Sequence, residues 1–476
     1  MCCWLKIRDT PFSAAWADAF TLSFPHRQWT KRTALPTSGS FDESIFYHPL
    51  TLERSQRNRE WVVKKTKECR MVGSMKKSTY VGFGFGAIQS GLLLYEAFQS
   101  GKFSRLVVAE VVPEVVDAVR TAKGYFLNIA TDGGIQQHFV EGIEIYNPSV
   151  PEDAAKLVDA LAEAQEIGTA LPSVDFFTRG APSVADLLRT AFVKKMNQPD
   201  FSNAVVYTSE NNNHAAEVLE GAVGLGLTDR VQFLNTVVGK MSGVVVNEKQ
   251  IAKDGLARAT PTGSRAFLVE EFNRILIDKI NLPGFQRGIG VFEEKDDLLP
   301  FEEAKLYGHN AVHALMGYLA HEKGCRYMSD VTEFPAILEM AHAAFINESG
   351  AALVKKYEGL DPLFSEEGFR AYAEDLLTRM MNPHLQDQVE RVIRDPDRKL
   401  GWNDRLVGTM RLVLGQGIRP ENFAEGAKAA LRYLSAQKEA SDPAQVFADV
   451  LKEGQATSTD DLSTICEMVV GERSVD

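Results

Sequence analysis

Residues 78–110 read STYVGFGFGAIQSGLLLYEAFQSGKFSRLVVAE and decide the fold. STYVGFGFG is a short β-rich run that ends in glycines, AIQSGLLLYEAFQSG has helical spacing, and RLVVAEV is a second candidate for a buried strand. Together they predict a βαβ unit. Further strand candidates are GIEIYN, AVVYTSE and VQFLNTVVG, separated by the helical stretches DAAKLVDALAEAQ and VADLLRTAFVKKM. Such alternation predicts an α/β fold, with a Rossmann-like, doubly wound parallel sheet covered by helices.

After about residue 265 the β signal nearly vanishes. The stretches that read as amphipathic helices begin with SRAFLVEEFNRILIDKI at 264–280 and continue through DPAQVFADVLKE at 442–453. We therefore expect a Rossmann-like domain over 76–262 and an all-helical domain over 263–476.

Residues 1–75 differ from the rest of the chain. They carry 12 Lys and Arg against 7 Asp and Glu, in a chain whose net charge is −12. Their apolar residues keep no helical or strand period, and WTKRTALPTSGSFDES is rich in turn formers. Three interpretations stay open: a disordered extension, an upstream start with Met75 as the working one, or an organelle transit peptide.

Composition excludes several classes of partner. With 45% apolar residues, a net charge of −12 and a pI of about 5.4, the chain has no basic field to hold nucleic acid or an acidic membrane. It contains no apolar run long enough for a membrane span and no signal peptide at its start. The five cysteines are scattered and form no CxxC pair, which favours a reducing, cytoplasmic location and argues against a structural zinc site. We expect a monomer or small homo-oligomer.

The glycine loop VGFGFGAIQSG can be read in two registers. Gly82, Gly84 and Ala87 match GxGxxG/A, whereas Gly84, Gly86 and Gly91 place the glycines closer to the following helix. In either register the backbone can turn tightly and present N–H groups to a pyrophosphate. Glu110 ends the next strand, where an acid binds the ribose hydroxyls and repels a 2′-phosphate, so NAD is the expected cofactor. The predicted cofactor-binding residues are Gly84, Gly86, Ala87, Ile88, Gln89, Glu110 and Ala170.

A second informative segment is FEEAKLYGHNAVHALMGYLA at 301–320. At 100° per residue, Lys305, His309, His313 and Asn310 fall at about 0°, 40°, 80° and 140°, within one arc of a helix. Taken singly, a lysine at a helix edge is usually solvated and a lone histidine is usually structural. Convergent polar groups beside apolar neighbours instead suit the wall of a cleft between two domains.

These residue types suit the oxidation of a polyol without a metal. A base must take the hydroxyl proton, and lysine can do so only if its pKa falls from about 10.4 toward roughly 7 to 8. Asparagine N–H₂ groups can hold the resulting alkoxide. Asn211, in YTSENNNHAAE, follows a predicted strand at the edge where doubly wound sheets present their ligands.

The pattern Lys305-x4-Asn310-x2-His313 resembles the signature of the polyol-specific long-chain dehydrogenases, the mannitol dehydrogenase family. The likeness runs from about residue 78 to the C-terminus. GFGAIQSGLLL resembles that family's phosphate loop and favours the Gly84, Gly86 register, and SEN at 209–211 resembles its CEN or CDN element. The run NPHLQDQVERVIRDPDRKLGWNDRLVG at 382–408 is similar to the mannitol-1-phosphate 5-dehydrogenase branch of the family.

The resemblance implies specific roles. Lys305 would be the general base, Asn211 and Asn310 would hold the alkoxide, and His313 would orient a substrate hydroxyl. Arg391 and Lys399 would bind the far end of a sugar-phosphate substrate, interconverting mannitol 1-phosphate and fructose 6-phosphate. Independently of the resemblance, a basic cluster suits a phosphate monoester or simply pairs with nearby aspartates; it comprises Arg391, Arg394, Arg398, Lys399 and Arg405.

One departure bears on the substrate. Where the family commonly has VDRI, this chain has VVGKMSGVV, so Gly239 and Lys240 replace an acid and an arginine. The alternatives are a hexuronate (tagaturonate or fructuronate) reductase, a dehydrogenase for an unphosphorylated hexitol, and a catalytically inactive nucleotide-sensing protein. A zinc-dependent alcohol dehydrogenase is disfavoured, because no Cys/His ligand set is evident.

Overall fold

The strands of the first half form two sheets. The computed structural model describes residues 78–226, 229–454 and 460–471, so the interpretations of residues 1–75 lie outside the described residues. The strands are β1 (Ser78–Phe83), β2 (Phe103–Ala109), β3 (Gly124–Thr131), β4 (Gly134–Glu141), β5 (Ile143–Tyr146), β6 (Glu166–Thr169), β7 (Ala204–Thr208), β8 (Val231–Val238), β9 (Ser242–Val245), β10 (Ala266–Glu270), β11 (Ile275–Asp278) and β12 (Phe292–Lys295).

The larger sheet has the order β12-β11-β8-β7-β6-β1-β2-β5. Its six strands from β8 to β5 are parallel, while β11 runs antiparallel to β8. The parallel part reproduces the 3-2-1-4-5-6 order of a doubly wound sheet, with β1 and β6 at the switch point where ligands bind. The predicted fold class is confirmed.

Burial on both faces explains the continuous apolar runs. Tyr80 and Val108 belong to the hydrophobic core on one side of the sheet, whereas Val81 and Val107 belong to the core on the other. Successive side chains of a strand point to opposite faces, so both faces need apolar residues. The helices of this half are α1 (Leu94–Ser100), α2 (Pro113–Ala122), α3 (Pro151–Glu163), α4 (Val184–Met196), α5 (Ala215–Val223) and α6 (Glu248–Lys253).

The smaller sheet has the order β4-β3-β10-β9. Its hairpin β3–β4 is closed by Asp132 and Gly133, a dipeptide typical of tight turns. Strand β10 pairs with β3 in parallel and with β9 in antiparallel orientation. This sheet lies against the helix that follows the glycine loop, since Gly91 packs on Val269 of β10.

The helical prediction for residues 264–280 is wrong. That stretch forms β10 and β11, and β12 follows before the helices begin. All five residues of β10 are buried, and residues 266–269 form a continuous apolar run before the buried Glu270. A continuous apolar run of this length does not distinguish a buried strand from a buried helix by periodicity.

From Leu299 onward the chain is helical. The helices are α7 (Leu299–Glu303), α8 (Ala311–Glu322), α9 (Pro335–Ala343), α10 (Ala351–Lys356), α11 (Glu366–Met380), α12 (Val389–Ile393), α13 (Pro396–Lys399), α14 (Val407–Gly415), α15 (Glu421–Gln437), α16 (Pro443–Glu453) and α17 (Asp460–Val470). Their shared core also takes in Val237 and Met241, which come from the end of β8 and the loop after it. The helical region therefore packs directly on the sheet.

Three π-helical turns interrupt the helices among the described residues: Gln89–Leu93, Ala304–Asn310 and Ala344–Gly350. A π turn bonds residues five apart instead of four, and such turns occur frequently at functional sites. The first follows the glycine loop, and the second contains Lys305, His309 and Asn310, three of the four polar residues predicted to line a cleft. In the described part of the chain, no helix combines the length and apolarity needed to cross a membrane.

Candidate active site

Each glycine of the second register has its own structural reason. Gly84 has φ +85°, and a Cβ there would lie 3.0 Å from the carbonyl oxygen of Ala170. A Cβ on Gly91 would lie 2.4 Å from Cγ1 of Val269, so this glycine permits close packing of helix and sheet. Gly86 has no heavy atom within 4 Å of its Cβ position. The loop thus provides a tight turn, an open approach and close packing, as dinucleotide-binding loops do.

Gly82, by contrast, belongs to the packing of the sheet. A Cβ on Gly82 would overlap the amide of Gln89, which donates a 2.7 Å hydrogen bond to the hydroxyl of Tyr80. Gln89 itself is fully buried. The Gln89 side chain therefore packs inside the protein beneath the glycine loop. Only the backbone of Gln89 could make the predicted contact with a cofactor.

Glu110 and Ala170 lie at the carboxyl edge of the sheet beside this loop. Ala170 follows β6 and its N–H donates to the carbonyl of Phe83, the last residue of β1. Glu110 follows β2, and its Oε1 accepts from the N–H groups of Val111 and Val112 at 2.7 and 2.9 Å. These bonds orient the carboxylate at the position predicted to bind the ribose of a dinucleotide.

Lys305 lies on the π turn Ala304–Asn310 and is partly buried. Burial lowers its pKa to about 8; the charge of Glu302 opposes that change, and the charge of Arg405 adds to it. The amine is therefore neutral in a substantial fraction of molecules near pH 8. That is the state required of a lysine that accepts a proton.

Glu302 stands one turn before Lys305 and is also affected by burial. Its pKa is raised to about 7, first by burial and then by the charge of Asp278, while Lys305 opposes the change. Asp278 ends β11, so the electrostatic influence runs from the sheet to the helical region. Lys305 thus lies where the two parts of the molecule meet.

The π turn changes the relation of Lys305 to Asn310. On a regular α-helix the two side chains would stand about 140° apart, at opposite limits of the polar arc. In a π turn, residues five apart are stacked through i→i+5 hydrogen bonds, which brings position 310 over position 305. The irregular turn therefore makes the angle between these two positions smaller than in the predicted regular helix.

Asn211 follows β7 and is exposed. The residue before it, Glu210, is buried and accepts hydrogen bonds from Thr169 Oγ1 and Leu171 N–H, both at 2.8 Å. Burial raises the pKa of Glu210 to about 6, although these hydrogen bonds oppose the change. Glu210 therefore fixes the loop that carries Asn211 to the loop after β6.

His313 and Arg391 share one buried carboxylate. Nε2 of His313 lies 3.1 Å from Oδ2 of Asp387, an ion-pair distance whose angle is not that of a hydrogen bond. Arg391 donates through Nε to Oδ1 of the same residue at 2.7 Å. Burial raises the pKa of Asp387, but His313 and Arg391 outweigh it and hold the pKa below its usual range. Asp387 is therefore ionised and orients both side chains.

The basic cluster divides into exposed and buried members. The side chains of Arg391, Arg394 and Arg398 are 47%, 68% and 52% exposed. Lys399 is buried, and the side chain of Arg405 is only 15% exposed. The structure brings Lys399 and Arg405 into the interior and leaves Arg394 and Arg398 at the surface beside Asp395 and Asp404.

Gly239 and Lys240 adjoin an ion pair that links the sheet and the helical region. Arg379 of α11 donates two hydrogen bonds to Glu270 of β10, at 2.7 and 2.8 Å, and a third to the carbonyl of Gly239. Nζ of Lys240 donates to the carbonyl of Phe272, over whose ring the Arg379 guanidinium lies at 3.7 Å. Gly239 and Lys240 thus help to join the two regions.

Sequence reasoning left Glu302, Asp387 and Glu210 without a role and gave Arg405 only as one member of the cluster. Asp387 does lie inside the quoted run 382–408, four residues before Arg391, which is a helical ion-pair spacing that was available as a signal. Burial of Arg405 and Glu302 depends on tertiary packing. Among the described residues, no group of three or more His, Cys, Asp or Glu side chains is arranged to hold a metal ion.

Residues 297–472 match the family model of the mannitol dehydrogenase C-terminal domain. The match shows that this part of the chain is similar to that domain. It covers the helical region, including Lys305, Asn310, His313, Arg391 and Lys399.

Two solved structures share the fold over most of the chain. The ternary complex of Pseudomonas fluorescens mannitol 2-dehydrogenase with NAD and D-mannitol is 15% identical, covers 83% of this chain and 95% of that chain, and superposes with a TM-score of 0.59. A substrate-free D-sorbitol dehydrogenase is 14% identical, covers 83% and 92%, and has a TM-score of 0.66. At these identities the likeness shows a mannitol dehydrogenase-like fold, with its sheet and helical region in the same chain.

Proposed function

We propose that this chain is an NAD-dependent polyol dehydrogenase that oxidises a secondary alcohol of a hexitol and catalyses the reverse reduction of the ketose. The observation that carries the proposal is Lys305, partly buried on a π turn at the junction of sheet and helices, with its pKa lowered to about 8. A surface lysine would stay protonated at that pH and would accept no proton.

The cofactor loop fits a dinucleotide. Gly86 leaves open space at the start of a helix, Gly84 supplies the tight turn, and Glu110 stands at the end of the second strand. Backbone N–H groups at 86–88 would hold the pyrophosphate, and Glu110 would bind the ribose and disfavour NADP. When bound, NAD accepts the hydride that leaves the carbinol carbon.

The protein groups act on the substrate oxygen. Lys305 takes the hydroxyl proton as the hydride leaves, so the alcohol carbon becomes a carbonyl. The amides of Asn310 and Asn211 donate hydrogen bonds to the developing oxyanion. His313 orients a neighbouring hydroxyl, and its ring is held by Asp387. No step requires a metal ion.

The substrate we propose is a hexitol phosphate, most specifically mannitol 1-phosphate, which would be converted to fructose 6-phosphate. Arg391 and Lys399 supply positive charge on one side of the site, in a chain that is otherwise acidic. Both solved relatives are named for unphosphorylated hexitols. A hexuronate would also use Arg391 and Lys399, whereas a neutral hexitol would need neither charge.

The test compares three ketoses with NADH and the purified protein. We expect the highest kcat/KM for fructose 6-phosphate, above tagaturonate and fructose. Lys305→Ala should lower turnover by about 10²- to 10⁴-fold, the usual contribution of a general base, and leave NADH binding intact. Lys323→Ala, an exposed lysine at the end of α8, is the matched control. Wild-type turnover in Lys305→Ala would refute the proposed chemistry.

A further inference from the structure

Two cations of the basic cluster are buried side by side. Lys399 is 4% exposed and the Arg405 side chain 15%, while the three other arginines of the cluster are about half exposed or more. Long basic side chains are rarely buried unless they are paired. Lys399 and Arg405 are therefore candidates for binding an anionic ligand.

Backbone contacts place Arg405 between Lys399 and the turn that carries Lys305. The N–H of Leu406 donates to the carbonyl of Lys399 at 3.0 Å. The hydroxyl of Thr409 donates to the carbonyl of Arg405 and also lies 3.4 Å from the carbonyl oxygen of Tyr307, inside the π turn. Arg405 thus adjoins both the candidate base and the buried lysine.

The packing at this point is tight. A Cβ on Gly408, at the start of α14, would lie 3.0 Å from the ring of Tyr307 and 3.0 Å from the backbone of Asn403. Helix α14 therefore fits closely against the π turn, and the Arg405 backbone that precedes it has little freedom to move. The close packing of α14 on the π turn therefore fixes the backbone from which the Arg405 side chain extends.

Negative charge near the pair is scarce. Nη1 of Arg405 lies 3.5 Å from Oδ1 of Asp404, and Asp404 also faces Arg398 at 3.8 Å. In the described part of the chain, no carboxylate lies within 4.0 Å of the Lys399 amine. Burial first and the charge of Arg405 second lower the pKa of Lys399 to about 8. Buried cations with so few counter-charges are costly unless an anion joins them.

We propose that Arg405 joins Lys399, which the proposed function already places at the far end of the sugar substrate, in binding the anionic group there, and that Arg405 is a residue that determines specificity for anionic sugars. The inference rests on the proposed function and names the side chains that bind the anionic group of the substrate. The ligand chemistry is a phosphate monoester or a carboxylate, both of which match the fork of a guanidinium. Arg394 and Arg398, which face solvent, have no such role.

The experiment compares Arg405→Met with wild type on fructose 6-phosphate, tagaturonate and fructose. We expect KM for the anionic ketose that wild type prefers to rise by about 10- to 100-fold, the loss of one or two charge-assisted hydrogen bonds. The constants for fructose should change by less than about threefold. Arg405→Lys keeps the charge without the fork and should show an intermediate loss. The control is Arg432→Met, which replaces a surface arginine of α15 that pairs with Glu322 at the end of α8.

A binding measurement separates this inference from the proposed function. Inorganic phosphate should raise the melting temperature of wild type and of Lys305→Ala, and Arg405→Met should abolish the effect. This result would support the anion subsite even if no ketose were reduced. Equal losses for fructose and for the anionic ketoses would overturn the inference. So would phosphate protection that survives in Arg405→Met, or a specificity loss caused by Arg398→Met instead.

Discussion

The imidazole of His313 and the carboxylate of Asp387 lie 3.1 Å apart in the interior of the helical region. The same carboxylate accepts a hydrogen bond from Nε of Arg391. Asp387 therefore orients two residues: His313, which is proposed to contact the substrate hydroxyls, and Arg391, which is proposed to contact the far end of the substrate. The contact faces Nε2 toward Asp387, which leaves Nδ1 as the ring nitrogen available to the substrate.

Replacing this carboxylate should impair substrate recognition more than cofactor binding. In Asp387→Asn the amide lacks the negative charge and the second acceptor oxygen that hold His313 and Arg391, so we expect kcat/KM to fall by about 10- to 100-fold. NADH affinity, measured by fluorescence titration, should not change. Asp159→Asn, an exposed carboxylate that pairs with Lys194 on the sheet side, provides a control. An equal loss of NADH affinity in Asp387→Asn would show general disruption and count against the orienting role.

The pH dependence of turnover should report Lys305. Oxidation needs the neutral amine and reduction needs the ammonium, and burial lowers the pKa of this group to about 8. The oxidation rate should therefore rise with pH through about 8 and then level off, whereas the reduction rate should fall over the same range. Glu302→Gln removes a charge that raises the Lys305 pKa, so the inflection should move to lower pH. An unchanged profile in that variant would contradict the assignment.

Two glycines of the cofactor loop should respond in opposite ways. Gly86→Ala adds a methyl group to open space, so the free energy of unfolding should change by less than about 0.5 kcal/mol. NADH affinity should nevertheless drop severalfold, because the backbone can no longer approach the pyrophosphate. Gly91→Ala places Cβ 2.4 Å from Cγ1 of Val269 and should destabilise the protein by about 1–3 kcal/mol. Urea unfolding and NADH titration of both variants would check this division.

A buried lysine far from the site should make stability depend on pH. Lys195 is fully buried, its amine donates to the carbonyls of Ala164 and Ser202 at 2.8 Å, and burial lowers its pKa to about 7. Between about pH 7 and 10 the unfolded state binds more protons at this lysine than the folded state does. Its contribution to stability should therefore increase as pH rises through that window and be lost as pH falls toward 7.

Lys195→Met should flatten this part of the profile. The measurement is the urea midpoint at several pH values between 7 and 10, compared with Lys194→Met. Lys194 is the neighbouring lysine, but it is exposed and paired with Asp159. If both variants kept the slope of wild type, the buried amine would not be its source.

The fold was predictable where the pattern that specifies an element lies within a short, contiguous stretch of sequence. The β1 run, its glycines and the following helix are contiguous, and both faces of the larger sheet are buried, so the strands appear as apolar runs. β10 and β11 were taken for a helix because residues 266–269 are a continuous apolar run that carries no period-2 alternation. The hairpin β3–β4 was overlooked although Asp132-Gly133 marks its turn.

The candidate site was predictable only in part for a similar reason. Lys305, Asn310 and His313 are close in sequence, so a helical projection groups them. The Asp387 carboxylate reaches His313 from 74 residues further along the chain, and the burial of Arg405 depends on how α14 packs against the π turn. Nor does the sequence state that the turn is π-helical, which alters the angle between Lys305 and Asn310.

The π turn Ala304–Asn310 packs on the later π turn Ala344–Gly350, with Gly308 against the ring of Phe345. A π turn amounts to an α-helix with one surplus residue, and regular hydrogen bonding is sacrificed to accommodate it. Deleting a single residue from the first turn would restore a uniform helix and rotate Lys305 by about 100° relative to His313. A regular helix would therefore not keep Lys305, the proposed base, in its present orientation relative to His313. Natural variation in the length of this segment should be far more restricted than in the loops around it.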